Sequence, residues 1–149
     1  ARHAHTHIAL RLAAQGACPY AMAADGSTVL HAAVQSGALP LLEALLAGEG
    51  EPEVRPGCPH AAGRAGGVHA LVNTARSKDG STPLHVCAGM GCVSMVTHLV
   101  ERGADPLTRN TEGRTPMEVA LHARQWHAVS ALMSHAKRQA RLRRGRRRE

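Results

Sequence analysis

Aromatic side chains are almost absent from this sequence, which has no Phe, one Trp and one Tyr among 149 residues. Sandwich and barrel folds rely on aromatic and β-branched side chains to fill their cores, so this composition argues against an all-β fold. No apolar run reaches the length of about 18 residues that a transmembrane helix needs, and no signal-peptide pattern opens the chain. Hydrophobic residues still make up 44% of the chain and alanine occurs 27 times, which is enough for one domain of closely packed helices.

Lysine is scarce as well, with two Lys against sixteen Arg, and the positive charge is concentrated at one end. Residues 137–149 carry a net charge of +7, which equals the charge of the whole chain, so residues 1–136 are neutral overall. We therefore divide the chain into a body, 1–136, and a basic tail, 137–149. The cationic side chains of the tail are Lys137, Arg138, Arg141, Arg143, Arg144, Arg146, Arg147 and Arg148.

The four cysteines are Cys18, Cys58, Cys87 and Cys92, and their spacing is not that of a disulfide-dense secreted domain. We predict reduced thiols that act as small apolar side chains. The expected location is therefore intracellular, in the cytoplasm first, with the nucleus or an organelle as alternatives.

Three segments of the body share one pattern: GSTVLHAA begins at residue 26, GSTPLHVCA at residue 80 and GRTPMEVA at residue 113. Their threonines, Thr28, Thr82 and Thr115, are 54 and 33 residues apart, so the first interval holds one 33-residue period and 21 further residues. A threonine hydroxyl is a good helix N-cap, and the proline that follows two of these threonines fits the first turn of a helix. The pattern predicts repeating helical units.

The 33-residue period and the T-P-L-H-x-A pattern resemble the ankyrin repeat. The resemblance covers residues 5–48 and 77–136. It implies an all-α solenoid of helix-turn-helix units with short β-hairpin loops, made of half a repeat and three whole repeats. It also implies that the motif histidines, His31 and His85, hold each hairpin to the start of its helix. Because the chain opens in mid-repeat, we expect further protein before Ala1 or a partner that covers that end.

Some positions depart from the ankyrin pattern. Val29 replaces the motif proline in one unit, Met117 and Glu118 replace Leu-His in the last, and Arg124 stands where a glycine is usual between helices. The larger departures fall in the last unit, as expected of a capping repeat that presents one face to water.

The second helix of each predicted unit carries an apolar stripe at helical spacing. In the last unit the stripe consists of Trp126, Val129, Leu132 and Met133. Nothing in the sequence breaks this helix before Gly145, so it can run on into the basic tail.

Residues 49–77 interrupt the repeats and are rich in Gly and Pro. A loop of this length is usually functional or disordered. We expect residues 49–67 to be a mobile surface loop, with the units on either side stacked as though the insertion were absent. The short apolar run 68–72 could dock onto the body or onto a partner.

The ankyrin resemblance implies a non-catalytic scaffold that binds protein partners, as an adaptor or as a subunit of a larger assembly. In that family the hairpin tips and first helices form a concave face. The variable positions of that face correspond here to Asp25, Ser27, Gln35, Ser36, Lys78, Asp79, Ser81, Met90, Thr111, Glu112, Arg114 and His122.

No nucleophile motif, phosphate-binding loop or dinucleotide fingerprint is present, so we predict no catalytic residue, no cofactor and no small-molecule substrate. No membrane partner is expected either.

The basic tail supports a second interpretation. The chain would then be a structural subunit of a large ribonucleoprotein, such as an organellar ribosome, with the tail in contact with RNA phosphates. An acidic protein, an import receptor or solvent alone would suit the same charges. Because the tail has no aromatic side chain for base stacking, RNA contact would be directed at the backbone. The neutral body favours a protein partner there and leaves RNA to the tail.

Eleven histidines raise the question of a metal site. His3, His5 and His7 alternate, but a spacing of two does not share a face on the helix predicted there. Cys58 and His60 supply only two ligands, fewer than a tetrahedral zinc site needs. We therefore predict no metal site.

Overall fold

The computed structural model describes residues 23–46 and 71–145, and most of these residues form six α-helices in three consecutive pairs. The helices are α1 (Val29–Gln35) and α2 (Leu39–Leu46) in unit 1, α3 (Pro83–Met90) and α4 (Val93–Glu101) in unit 2, and α5 (Pro116–His122) and α6 (Trp126–Gly145) in unit 3. The first helices of successive units pack on one another, and so do the second helices. The predicted all-α solenoid is confirmed, whereas the half repeat predicted over residues 5–14 lies outside the described residues.

The helices begin where the threonine pattern predicts. Thr82 and Thr115 have extended backbone and act as N-caps, and Pro83 and Pro116 follow in the first turn. The missing N–H of proline has no partner to lose at that position. In unit 1, α1 begins at Val29 without a proline, so the cap alone is sufficient to start the helix.

The core is built from aliphatic side chains and alanine. Leu84, Val96 and Leu99 are fully buried at its centre. Small side chains at the helix contacts allow the backbones to approach closely, which replaces the volume that aromatic side chains supply in other cores. The fully buried alanines are Ala33, Ala88, Ala120 and Ala128.

The end of the predicted insertion belongs to the packed body. Leu71 and Val72 are helical and are buried in the core. The Asn73 side-chain amide donates a hydrogen bond to the Gly103 carbonyl at 3.0 Å, and the Asp105 N–H donates to the Asn73 side-chain oxygen at 2.8 Å. Leu71 and Val72, at the end of the apolar run 68–72, thus dock onto the body, which is one of the two outcomes the sequence allowed for that run. The expected mobile loop lies outside the described residues.

The apolar stripe predicted for α6 is only half buried. Val129 and Leu132 pack in the core, but Trp126 is 64% exposed and Met133 is 45% exposed. Within the described residues no helix follows α6 to cover Met133, whose counterpart Val100 is buried in unit 2, whereas Val93, the counterpart of Trp126, is itself 36% exposed.

Helix α6 crosses residue 136, where we divided body from tail, and ends at Gly145. Alanine, arginine, leucine, lysine and glutamine are strong helix formers, which explains why the helix continues beyond the apolar stripe. None of the helices in the described ranges is both long enough and apolar enough to span a bilayer.

The turn between α5 and α6 contains a strained residue, Arg124, whose cost to stability can be measured. Arg124 adopts a left-handed conformation with φ 58°, at the position that Gly37 and Gly91 occupy in units 1 and 2. A side chain in this conformation is disfavoured by about 1 kcal/mol. We expect Arg124→Gly to raise the free energy of unfolding by up to about 1 kcal/mol in urea titrations, because glycine removes this strain.

A matched control is Gly37→Ala, since a Cβ at Gly37 would meet no atom within 4 Å and only the φ of 69° opposes it. This variant should lose about 1 kcal/mol. Equal stability of Arg124→Gly and the parent chain would contradict the strain argument.

Candidate functional site

A groove of about 410 Å³ lies between units 2 and 3, lined by the turns that precede α3 and α5 and by those two helices. We call it the inter-unit groove. Half of the candidate partner-binding residues predicted from the sequence line it: Asp79, Ser81, Met90, Glu112, Arg114 and His122. The structure thus brings together residues that are up to 43 positions apart in the chain.

Both rims of the inter-unit groove carry paired charges. On the unit 2 rim, the Asp79 carboxylate accepts hydrogen bonds from two guanidinium nitrogens of Arg76, one of them Nε at 3.1 Å. Partial burial opposes ionisation of Asp79, but the hydrogen bonds from Arg76 and Ser81 outweigh it and lower the pKa of the carboxyl. On the unit 3 rim, Arg114 contacts the Glu112 carboxylate at 3.2 Å. Each rim therefore presents both signs of charge.

The floor between the rims is apolar. Val86, Val119 and Ala123 line it, and Met90 is 42% exposed at its edge. Gly89 lies beside Val119 of α5, so that a Cβ added there would lie 3.4 Å from a Val119 methyl group, in van der Waals contact. An apolar floor with mixed charge at its sides suits a peptide that has an apolar anchor and polar flanks.

His85 fixes the unit 3 rim in place. The backbone N–H of Thr82 donates to Nδ1 of the ring at 3.2 Å, and Nε2 lies 3.0 Å from the Arg114 carbonyl oxygen. Because Nδ1 accepts, the proton is on Nε2, which donates to the carbonyl. The neutral ring therefore joins the N-cap of one unit to the backbone of the next.

His31 repeats this arrangement one unit earlier. Thr28 N–H donates to its Nδ1 at 3.2 Å, and its Nε2 donates to the Ser81 carbonyl at 3.0 Å. The carbonyl that His31 contacts lies 50 residues further along the chain, and the one that His85 contacts lies 29 residues further along. The difference of 21 equals the number of extra residues in the first repeat interval. Units 1 and 2 are thus joined across the insertion by the same contact that joins units 2 and 3.

In unit 3, Glu118 takes the place of the histidine. Its Oε2 accepts hydrogen bonds from the Thr115 N–H at 2.7 Å and from the Thr115 hydroxyl at 2.9 Å. These bonds lower the pKa of Glu118, first through the backbone N–H and then through the hydroxyl. The carboxylate satisfies the cap but has no N–H like the one that the histidine rings of units 1 and 2 donate to the next unit.

The other predicted partner-binding residues lie outside the inter-unit groove. Asp25, Gln35, Lys78 and Thr111 are exposed, while Ser27 and Ser36 are half-buried. Four of the six belong to unit 1, one unit away from the groove.

Ser81 lines the inter-unit groove but is only 7% exposed. Its carbonyl accepts from His31 and its N–H donates to Asp79 at 3.1 Å, so its main part is to hold the turn. Sequence reasoning missed Asn110, whose side-chain oxygen accepts from the backbone N–H of Glu112 at 3.1 Å and shapes the opposite turn. The sequence contained a signal for this role, since an Asn side chain favours an Asx turn by accepting from the backbone N–H two residues further on, here that of Glu112.

The basic tail is described only in part. Lys137, Arg138 and Arg141 are exposed on α6. The backbone at Arg143 and Arg144 is helical, and Arg146, Arg147 and Arg148 lie outside the described residues.

Among residues 23–46 and 71–145, no three His, Cys, Asp or Glu side chains gather as a metal site would require. The histidines before residue 8 and the pair Cys58 and His60 lie outside these ranges. Cys87 and Cys92 are free thiols, and burial raises the pKa of Cys87 well above the ordinary range, so that thiol stays protonated and unreactive.

Comparison with known proteins identifies the family. A family model of three ankyrin repeats matches residues 60–142, and a second, single-repeat model matches residues 25–55. The chain belongs to the ankyrin-repeat family. Ankyrin repeats form protein–protein interaction domains and are in general not catalytic, and this chain is such an interaction domain.

Relatives of this ankyrin-repeat chain are much longer and carry diverse names. Human Rabankyrin-5 is 34% identical over 82 residues, which is 55% of this chain and 7% of that protein. The zebrafish ankyrin repeat and SAM domain-containing protein 6 is 33% identical over 136 residues, 84% of this chain and 17% of that protein. The Arabidopsis DExH-box ATP-dependent RNA helicase DExH2 is 39% identical over 70 residues, 47% of this chain and 4% of that protein. The chain therefore spans less than a fifth of each of these relatives.

The histidine bridges predict how stability depends on pH. Burial lowers the pKa of His31 and of His85 below the ordinary value of 6.5, so protonation favours the unfolded chain. The contribution of the two histidines to the free energy of unfolding should be at its maximum above about pH 7.5 and should fall as the pH drops below about 6.5. Replacing both residues with Gln should destabilise the chain at about pH 7.5 but reduce the further loss on going to about pH 5.5.

Urea titrations at the two pH values check this, with His127→Gln as the control because His127 is exposed. That control should retain the pH dependence of the parent chain. A double variant that loses as much stability with acid as the parent would show that the two rings do not carry the effect.

Proposed function

We propose that this chain is a non-catalytic adaptor or assembly subunit that binds a peptide segment of a partner protein in the inter-unit groove. The observation that chiefly supports the proposal is that six residues at the family's variable positions line a single groove with an apolar floor. Because the histidine bridges hold both rims before any ligand arrives, little conformational entropy would be lost on binding.

The chemistry of the inter-unit groove favours a particular kind of segment. The exposed part of Met90 and the floor around Val86 suit one apolar anchor side chain. Arg76 and Arg114 are already paired with carboxylates, so the rims favour a segment with polar or mixed-charge flanks over a strongly acidic one. The names of the relatives differ widely, and repeats of this kind serve many pathways, so the pathway must come from the partner.

A second candidate function is that of a ribonucleoprotein subunit whose tail contacts RNA phosphates. The exposure of Lys137, Arg138 and Arg141 on α6 supports it. Such binding would be dominated by charge and would weaken steeply with salt. The groove proposal does not require it, since Lys137, Arg138 and Arg141, the basic tail residues whose side chains the structure describes, do not line the inter-unit groove.

Peptide selection on the intact chain tests the groove proposal. A displayed library of natural peptide segments is panned against the chain, and the selected peptides are located by NMR shift changes. We expect shifts to centre on the inter-unit groove and Met90→Lys to weaken binding at least about tenfold, because it places a charge where the anchor packs.

The matched control is Leu107→Lys, which makes the same chemical change at a side chain that is 70% exposed and lies outside the groove. Leu107→Lys should bind as the parent does, and both variants should melt at the parent's temperature. Peptides that bind elsewhere, or that bind Met90→Lys unchanged, would refute the proposed site.

A further inference from the structure

Unit 3 exposes apolar side chains at positions that units 1 and 2 bury. Met117, Leu121 and Met133 are 37%, 41% and 45% exposed. Their counterparts one repeat earlier are Leu84, Ala88 and Val100, which are 0%, 0% and 5% exposed. Their counterparts in unit 1 are Leu30, Val34 and Leu46, which are 0%, 0% and 2% exposed. A polar side chain would be expected at such positions if water were their normal neighbour.

These positions are shaped to receive helices. In units 1 and 2 they belong to helix pairs on which the helices of the following unit pack: α3 lies on α1, α5 lies on α3, and α6 lies on α4. Trp126, which is 64% exposed, shares a side of α6 with Met133 two helical turns away. We call Met117, Leu121, Trp126 and Met133 the end face. None of the four lines the inter-unit groove.

Positive charge continues directly from the end face. Met133, Lys137 and Arg141 follow one another at intervals of four, so they lie along one side of α6. Lys137 and Arg141 are exposed, and among the described residues neither forms an ion pair. One side of the helix thus passes from apolar to cationic without interruption.

We propose that the end face and its cationic extension bind an acidic amphipathic helix of a partner protein. The apolar stripe of such a helix would cover Leu121 and Met133 as a following unit covers their counterparts, and its carboxylates would pair with Lys137 and Arg141. RNA would neutralise the cations but leave the apolar side chains in water. A second copy of the chain would bring like charges together on the two α6 helices.

The test uses the single tryptophan of the chain, because Trp126 lies in the end face and its emission reports directly on that surface. A synthetic helical peptide with Leu at i, i+3, i+4 and i+7 and Glu elsewhere is titrated into the full chain. We expect a blue shift of the emission, and affinity at least about tenfold stronger than that of a scrambled peptide of the same composition, since scrambling removes the apolar stripe.

Variants separate the apolar from the charged contribution. The double change Leu121→Asp and Met133→Asp should weaken binding of the acidic peptide at least about tenfold. Lys137→Glu with Arg141→Glu should weaken it similarly, and should improve binding of a peptide in which Lys replaces Glu. Met90→Lys, in the inter-unit groove, should leave end-face binding unchanged, so failure of this proposal and failure of the groove proposal are distinguishable.

Four results would overturn the proposal: no blue shift with the acidic peptide, equal affinity for the scrambled peptide, a larger response to poly(U) RNA or to phosphatidylserine vesicles than to the peptide, or a blue shift that follows protein concentration alone. A larger response to poly(U) RNA or to the vesicles would indicate RNA or membrane binding. A blue shift that follows protein concentration alone would indicate self-association. Retained binding by the charge-reversed variant would contradict the role of the cations.

Discussion

A neutral histidine between two units is the contact on which the described solenoid depends. Each ring accepts a hydrogen bond on Nδ1 from the threonine N–H of its own unit and donates from Nε2 to a carbonyl of the next. A protonated ring would direct a second N–H at a donor, so the contact requires the uncharged form. Because His31 spans the insertion as His85 spans an ordinary repeat, the 21 extra residues of the first interval leave the stacking unchanged.

The two candidate surfaces have different physical origins. The inter-unit groove exists because units 2 and 3 are joined, and His85 holds the Arg114 backbone that forms its far rim. The end face exists because no described unit covers α5 and α6, while Leu121 and Met133 remain apolar there. Glu118 fits the same picture, since a carboxylate completes the cap without a ring N–H that would need a following carbonyl.

Much of the fold could be predicted from the sequence because the repeat pattern includes the residues that start each helix through local interactions. The threonine caps and the helix starts were visible as spacings and residue types. The apolar stripe of α6 was visible in the sequence but the exposure of Trp126 and Met133 was not, because periodicity shows that a helix has an apolar side but not whether a neighbour covers it. The carbonyl partner of His31 lies 50 residues away across the insertion and was not apparent from the motif, whereas the Asx turn at Asn110 left a signal in the sequence that was overlooked.

The tautomer of the two bridging histidines can be measured directly by NMR of the chain labelled with ¹⁵N at histidine and with ¹³C at the backbone carbonyls. For His31 and His85 the account predicts an unprotonated Nδ1, a protonated Nε2, and scalar coupling across the hydrogen bonds to the Ser81 and Arg114 carbonyl carbons. We expect this pattern at neutral pH in the full chain, which contains the insertion. A protonated Nδ1, or rapid exchange between the two tautomers at either ring, would contradict it.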